Sequence, residues 1–176
     1  MRALVVVLSL VLVAGCARSS PGTPTPDDQV MPADFAGMVE YGNGSVAPPY
    51  HYEWRLRFEA STAVVEWRPG YDSSTQPWRE TADITDDQRK QLYGALRDLG
   101  VFEMGEAPDD GMVGGPTGSV EVTAHGRTYD PGSLGGNDDT VRLLKDVAAA
   151  VKELLPADVW DGLMTKQDDW SERQPK

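Results

Sequence analysis

Between residues 50 and 59, Tyr50, Tyr52, Trp54, Leu56 and Phe58 alternate strictly with His51, Glu53, Arg55, Arg57 and Glu59. A helix would scatter both sets around its circumference, so a sustained period of two requires a strand with one face in a core and the other in water. A wet face of mixed charge belongs to an antiparallel sheet, because parallel sheets are covered on both sides. Ala63-Val64-Val65-Glu66-Trp67 supplies a second strand after a short connection at residues 60–62, and Arg68-Pro69-Gly70 ends it. The two are expected to form a hairpin.

Downstream, Pro77-Trp78 leads into a short extended segment at residues 81–84. Thr85 with Gln88 is a capping box, and Asp86 and Asp87 suit the positive end of a helix dipole. Leu92, Leu96 and Leu99 recur at helical spacing before Gly100, a residue suited to a left-handed helix end. Residues 119–129 predict another hairpin, with Val120, Val122 and Ala124 inward and His125-Gly126 as the turn. Asp138 or Asp139 is expected to cap a second helix whose buried stripe is Val141, Leu144, Ala148, Val151 and Leu155. Beyond Pro156 lies an amphipathic segment with Val159, Trp160, Leu163 and Met164. The expected fold is α+β: an antiparallel sheet with helices packed on one face, in the order strand, strand, helix, strand, strand, helix. Residues 33–167 form one domain in this reading, and 168–176 a loose tail from which Trp170 is placed to pack back.

This order, together with Leu92, Leu96, Leu99, Gly100, Val101 and Phe102, resembles the emfourin type of small metalloprotease-inhibitor module over residues 39–155. The resemblance implies an inhibitor-like role but assigns no inhibitory residue. The long loop at residues 69–77 departs from that pattern.

The N-terminus carries one charge, Arg2, then an apolar run over residues 3–13 interrupted only by Ser9. The run is shorter than the roughly 20 residues needed to span a bilayer. It has the anatomy of a signal peptide. Val13-Ala14-Gly15-Cys16 matches a lipobox, so the chain resembles a bacterial lipoprotein precursor. That resemblance implies a signal peptide at residues 1–15, cleavage before Cys16, diacylglycerol on its sulfur, and anchoring to the outer face of the cell membrane or another envelope membrane. Residues 16–32 are then the lipidated cysteine and a Ser/Pro/Thr tether with almost nothing apolar to bury. Cys16 is the single cysteine, so no disulfide forms within the chain and stability must come from packing.

The formal charge of −12 opposes binding to nucleic acid, whose phosphates require a basic footprint, and to anionic lipid headgroups. His51 and His125 are the only histidines; the first falls on the charged strand face and the second in a turn that tolerates positive φ. No zinc spacing, Gly-x-Ser-x-Gly elbow or cofactor motif is present, and Gly114-Gly115-Pro116-Thr117-Gly118-Ser119 lacks the ending of a phosphate loop. Asp109-Asp110-Gly111 lacks the alternating oxygens of a calcium loop. Trp67 and Trp78 are the least constrained large aromatics and the candidate contacts for a ligand or partner.

The expected function is non-catalytic binding of an envelope protein or peptide by a membrane-anchored domain. A small-ligand or glycan module using Trp67, Trp78 and residues 71–76 is the second expectation, and a carboxylate-dependent hydrolase the third. Replacing Cys16→Ser is expected to abolish partitioning into the detergent phase; a variant that still partitions there contradicts the lipid anchor.

Overall fold

The computed structural model describes residues 29–107 and 114–174. The lipobox with Cys16, most of the tether and Asp109-Asp110-Gly111 lie outside the described residues. Among the described residues, seven strands form one antiparallel sheet: β1 (Ala36–Gly42), β2 (Tyr52–Phe58), β3 (Thr62–Pro69), β4 (Trp78–Asp83), β5 (Thr117–Ala124), β6 (Arg127–Tyr129) and β7 (Ser133–Leu134). Their spatial order is β4-β3-β2-β1-β5-β6, with β7 also pairing β5. The described residues also form three α-helices: α1 (Asp86–Asp98) between β4 and β5, then α2 (Asp138–Lys152) and α3 (Ala157–Glu172) after β7. The α+β class holds, but the element order is richer than the sequence pattern indicates.

Two strands are unforeseen: the short β7, and β1, which stands in the middle of the sheet between β2 and β5. Its sequence, Ala36-Gly37-Met38-Val39-Glu40-Tyr41-Gly42, is poor in the β-branched and aromatic residues that mark strands. Its glycine at 37 serves close packing: a Cβ there would lie 2.6 Å from the Glu121 carbonyl oxygen and 2.7 Å from Val122 Cγ1. The inner face of the sheet fills in cross-strand rows. Val120, Val39, Leu56 and Val65 form one row, and Tyr41, Trp54 and Trp67 the next. These residues join Leu92, Leu96, Leu144, Val147, Val151 and Leu163 from the helices in a single core. The other face carries Ser119, Glu40, Arg55, Glu66 and Arg79 in one row, with Glu40 paired to Arg55 and Glu66 to Arg79.

The local signals act largely as anticipated. Thr85 and Gln88 form the reciprocal capping box of α1, and Gly100 takes φ +76° while Val101 N–H reaches back to the Leu96 carbonyl. His125 (φ 54°) and Gly126 (φ 70°) make the left-handed β5–β6 turn, with Val120, Val122 and Ala124 all buried. In α2, however, the cap is Asn137, whose Oδ1 accepts from Asp139 N–H at 3.1 Å and Thr140 N–H at 2.9 Å. Asp138 and Asp139 sit in the first turn instead. The N-terminal entry is held by Asp34, whose carboxylate accepts from Gly126 N–H at 2.6 Å and His125 N–H at 3.0 Å.

Two further corrections concern the margins of elements. Tyr50 does not extend the inner face of β2; it ends a short turn of 3-10 helix at Pro48–Tyr50 and is exposed. Residues 168–172 belong to α3 rather than to a tail, and Trp170 lies over Gly70, where a Cβ would approach its ring to 2.6 Å. Gln167 explains why the helix stays down. Its buried side chain accepts from Trp67 Nε1–H at 3.0 Å and donates to the carbonyls of Pro49 at 3.2 Å and His51 at 3.3 Å.

Gln167→Leu strands the buried Trp67 indole N–H and removes the donor to the Pro49 carbonyl, while the His51 carbonyl keeps Gly70 N–H; it is expected to lower stability by about 2 kcal/mol, measured by denaturant titration, with a shift in tryptophan emission. Asp34 gives a pH-dependent prediction. Chiefly the Gly126 N–H, and also that of His125, holds its carboxyl below the ordinary aspartate range. A depressed folded pKa means that its stabilisation is complete above the unfolded value and disappears as pH falls through the folded one. Asp34→Asn should therefore be less stable than wild type at neutral pH, and the gap should close below about pH 4. A gap that stays constant on acidification contradicts this role.

Candidate functional site

Antiparallel pairing brings three connections to one end of the sheet: residues 43–51 between β1 and β2, residues 70–77 between β3 and β4, and residues 114–116 before β5. They are locked together by glycine and by polar contacts. Gly44 has φ +95°, and a Cβ there would collide with the Gly115 carbonyl oxygen. Asn43 donates from Nδ2 to the Tyr50 carbonyl at 2.9 Å and accepts from Tyr52 N–H at 3.0 Å.

His51 is the buried hub of these loops, at 4% exposure. Its Nδ1 lies 3.0 Å from the Gly44 carbonyl oxygen and its Nε2 lies 3.4 Å from Glu53 Oε1. The ring of Tyr71 stacks on it at 3.7 Å with an interplanar angle of 9°. The Tyr71 hydroxyl then donates to the carbonyls of Val46 at 2.9 Å and Gly44 at 3.3 Å, joining the two longer loops. Above this lock stand Val46, Tyr50 and Tyr71, three of the five large hydrophobic residues exposed among the described residues. Tyr and apolar side chains on pinned loops present contact area at small entropic cost.

Beside the loops, the charged face of the sheet contains a cavity of about 260 Å³ lined by Glu40, Glu53, Arg55, Glu66, Arg68, Pro77 and Thr117, among others. Its floor is one cross-strand row, Arg68, Glu53, Gly42 and Thr117.

The sequence-predicted contacts lie elsewhere. Trp67 is 1% exposed, stacked on Tyr52 at 4.3 Å and bonded to Gln167, so it has no surface for a ligand. The reason is register: Trp67 pairs with Trp54 and shares the inward phase of Ala63 and Val65. Trp78, the cross-strand partner of Trp67, is half-buried and packed against the same core. Of the anticipated aromatic loop, Tyr71 is the member that reaches the surface while remaining part of a lock.

His51 and His125 stand at opposite ends of β1, roughly 20 Å apart at about 3.3 Å per strand residue. They do not form one site. His125 Nε2 lies 3.1 Å from the Tyr93 hydroxyl oxygen. Among the described residues, no three His, Cys, Asp or Glu side chains gather as a metal-ligand group, and no helix is long and apolar enough to cross a membrane.

What residue patterning misses is the burial of His51 and the role of Gln167. Pro48-Pro49 is the available signal that the alternation stops before Tyr52, since tandem proline resists a central strand and favours a turn. No protein-family model matches this sequence, and no curated protein matches it.

Proposed function

We propose that this protein is a lipid-anchored, extracytoplasmic, non-catalytic module that binds an envelope protein or peptide through the loop end bearing Val46, Tyr50 and Tyr71. The observation that carries the reading is the concentration of exposed apolar surface on loops held by the His51–Tyr71 stack. Binding surfaces favour such amphipathic aromatic side chains, and rigid loops lose little freedom when a partner docks. Cys16 supplies the anchor in this proposal; because Gln29 and Met31 already contact the domain, the span at residues 17–28 places it up to about 37 Å from the membrane at 3.1 Å per extended residue. A protease-inhibitor-like role is one specific form of the same activity.

A photo-crosslinking residue at position 50, in the full-length chain in its own envelope, tests this. A discrete adduct is expected from position 50 and none from position 142, an exposed site on α2. Val46→Asp placed in the same chain should abolish the adduct. No adduct at position 50, or one that survives Val46→Asp unchanged, overturns the proposal.

A further inference from the structure

We infer that the cavity on the charged face of the sheet is a binding subsite for a carboxylate, with Arg68 as the residue that receives it. Its ligand class is a carboxylate-bearing group of about amino-acid size. This inference does not depend on the apolar loop patch and stands or falls separately from it.

Arginine pairing on this face is uneven. Arg55 is held by Glu40, and Arg79 by Glu66 at 3.2 Å. Glu40 is occupied a second time by the Ser119 hydroxyl at 3.2 Å. Arg68 lines the cavity, yet its Nε is buried and finds no hydrogen-bond acceptor among the described residues. A guanidinium presents its N–H groups in a planar fork that matches the two oxygens of a carboxylate; the Arg68 Nε–H is unpaired but covered, so a bidentate grip on a ligand requires the side chain to turn its fork towards the cavity. The cross-strand neighbour of Arg68 is Glu53, whose Oε1 is instead 3.4 Å from His51 Nε2.

The remaining walls set the ligand's size and charge. Gly42 follows Glu53 in the floor row, and a Cβ at that position would stand 3.6 Å from Glu53 Cγ and 3.7 Å from Thr117 Oγ1. The missing side chain therefore leaves space between Glu53 and Thr117 that an ordinary strand residue would occupy. About 260 Å³ falls below the usual range for drug-sized ligands and suits a residue-sized group. The carboxylates of Glu40, Glu53 and Glu66 on the walls oppose any anion, and a dianion such as phosphate more than a singly charged group that one arginine can neutralise. The carboxylate can come from a chain terminus or from an acidic side chain; the chemistry at Arg68 is the same.

The test titrates full-length lipidated protein in detergent micelles, observing the Arg68 Nε–H resonance. Four short acetylated peptides serve as probes: free or amidated at the C-terminus, each containing Gln or Glu. Inorganic phosphate is the fifth probe. Saturable shifts are expected with probes that carry a carboxylate, and the terminal and side-chain arms identify which source fits better. Arg68→Gln should weaken binding at least tenfold. Gly42→Val fills the floor without altering charge and should do the same, whereas Glu53→Gln should strengthen binding severalfold. Saturation equally strong with the amidated Gln peptide, tighter binding of phosphate, or unchanged affinity in Arg68→Gln overturns the inference. So does an Arg68 resonance that ignores every carboxylate probe but moves on Glu53→Gln, because Glu53 would then be its partner in solution.

Discussion

The primary amide of Gln167 connects the core to the loop end. Its oxygen satisfies the indole of Trp67 inside the core, and its nitrogen donates to the carbonyls of Pro49 and His51, where the chain turns into β2. The His51 carbonyl also accepts from Gly70 N–H at 2.7 Å, so one peptide group joins α3, the start of β2 and the end of β3. Buried polar groups impose geometry because leaving any one of them unpaired costs more than the bond itself contributes. The position of the loops therefore follows from the docking of α3. Trp170, about one helical turn past Gln167, lies over Gly70 and extends the same contact.

The charged face works differently. Its ion pairs join exposed side chains, a class of interaction that contributes about 0–1 kcal/mol each. Their importance lies in occupancy: Arg55 and Arg79 are engaged by cross-strand glutamates, and the surface is divided into paired and unpaired charge. The core beneath is held by burial along the rows of Val39, Leu56 and Val65, so changes on the outer face need not propagate inward.

Patterning reveals the parts of this fold whose causes are local. The alternation of Trp54, Leu56 and Phe58, the Thr85–Gln88 box and the left-handed turn at His125-Gly126 each depend on residues near one another in sequence. β1 is different, since Gly37 is informative only once Glu121 and Val122 are known to lie against it. The same holds for Gln167, some 100 residues from Trp67 in the chain. A glutamine between Lys166 and Asp168 looks like solvent-facing helix until the partner indole is placed. Trp67 shows the complementary case: its strand phase is visible locally, but the helix that covers it is not.

Long-range determination also explains why the candidate site escaped residue inventory. Neither His51 nor Tyr71 belongs to a motif; each becomes distinctive because antiparallel register brings residues 43–51 and 70–77 to one end. Tyr71 serves two functions there. One face of its ring covers His51 and its hydroxyl holds Gly44 and Val46, while the side chain remains 52% exposed. A side chain that is both fastener and surface couples the shape of the patch to its chemistry. Truncating it would remove contact area and release the Val46 loop together, whereas Val46 and Tyr50 are exposed without closing the lock. Separating the proposed recognition from loop geometry therefore requires changes at Val46 or Tyr50, leaving the stack beneath them intact.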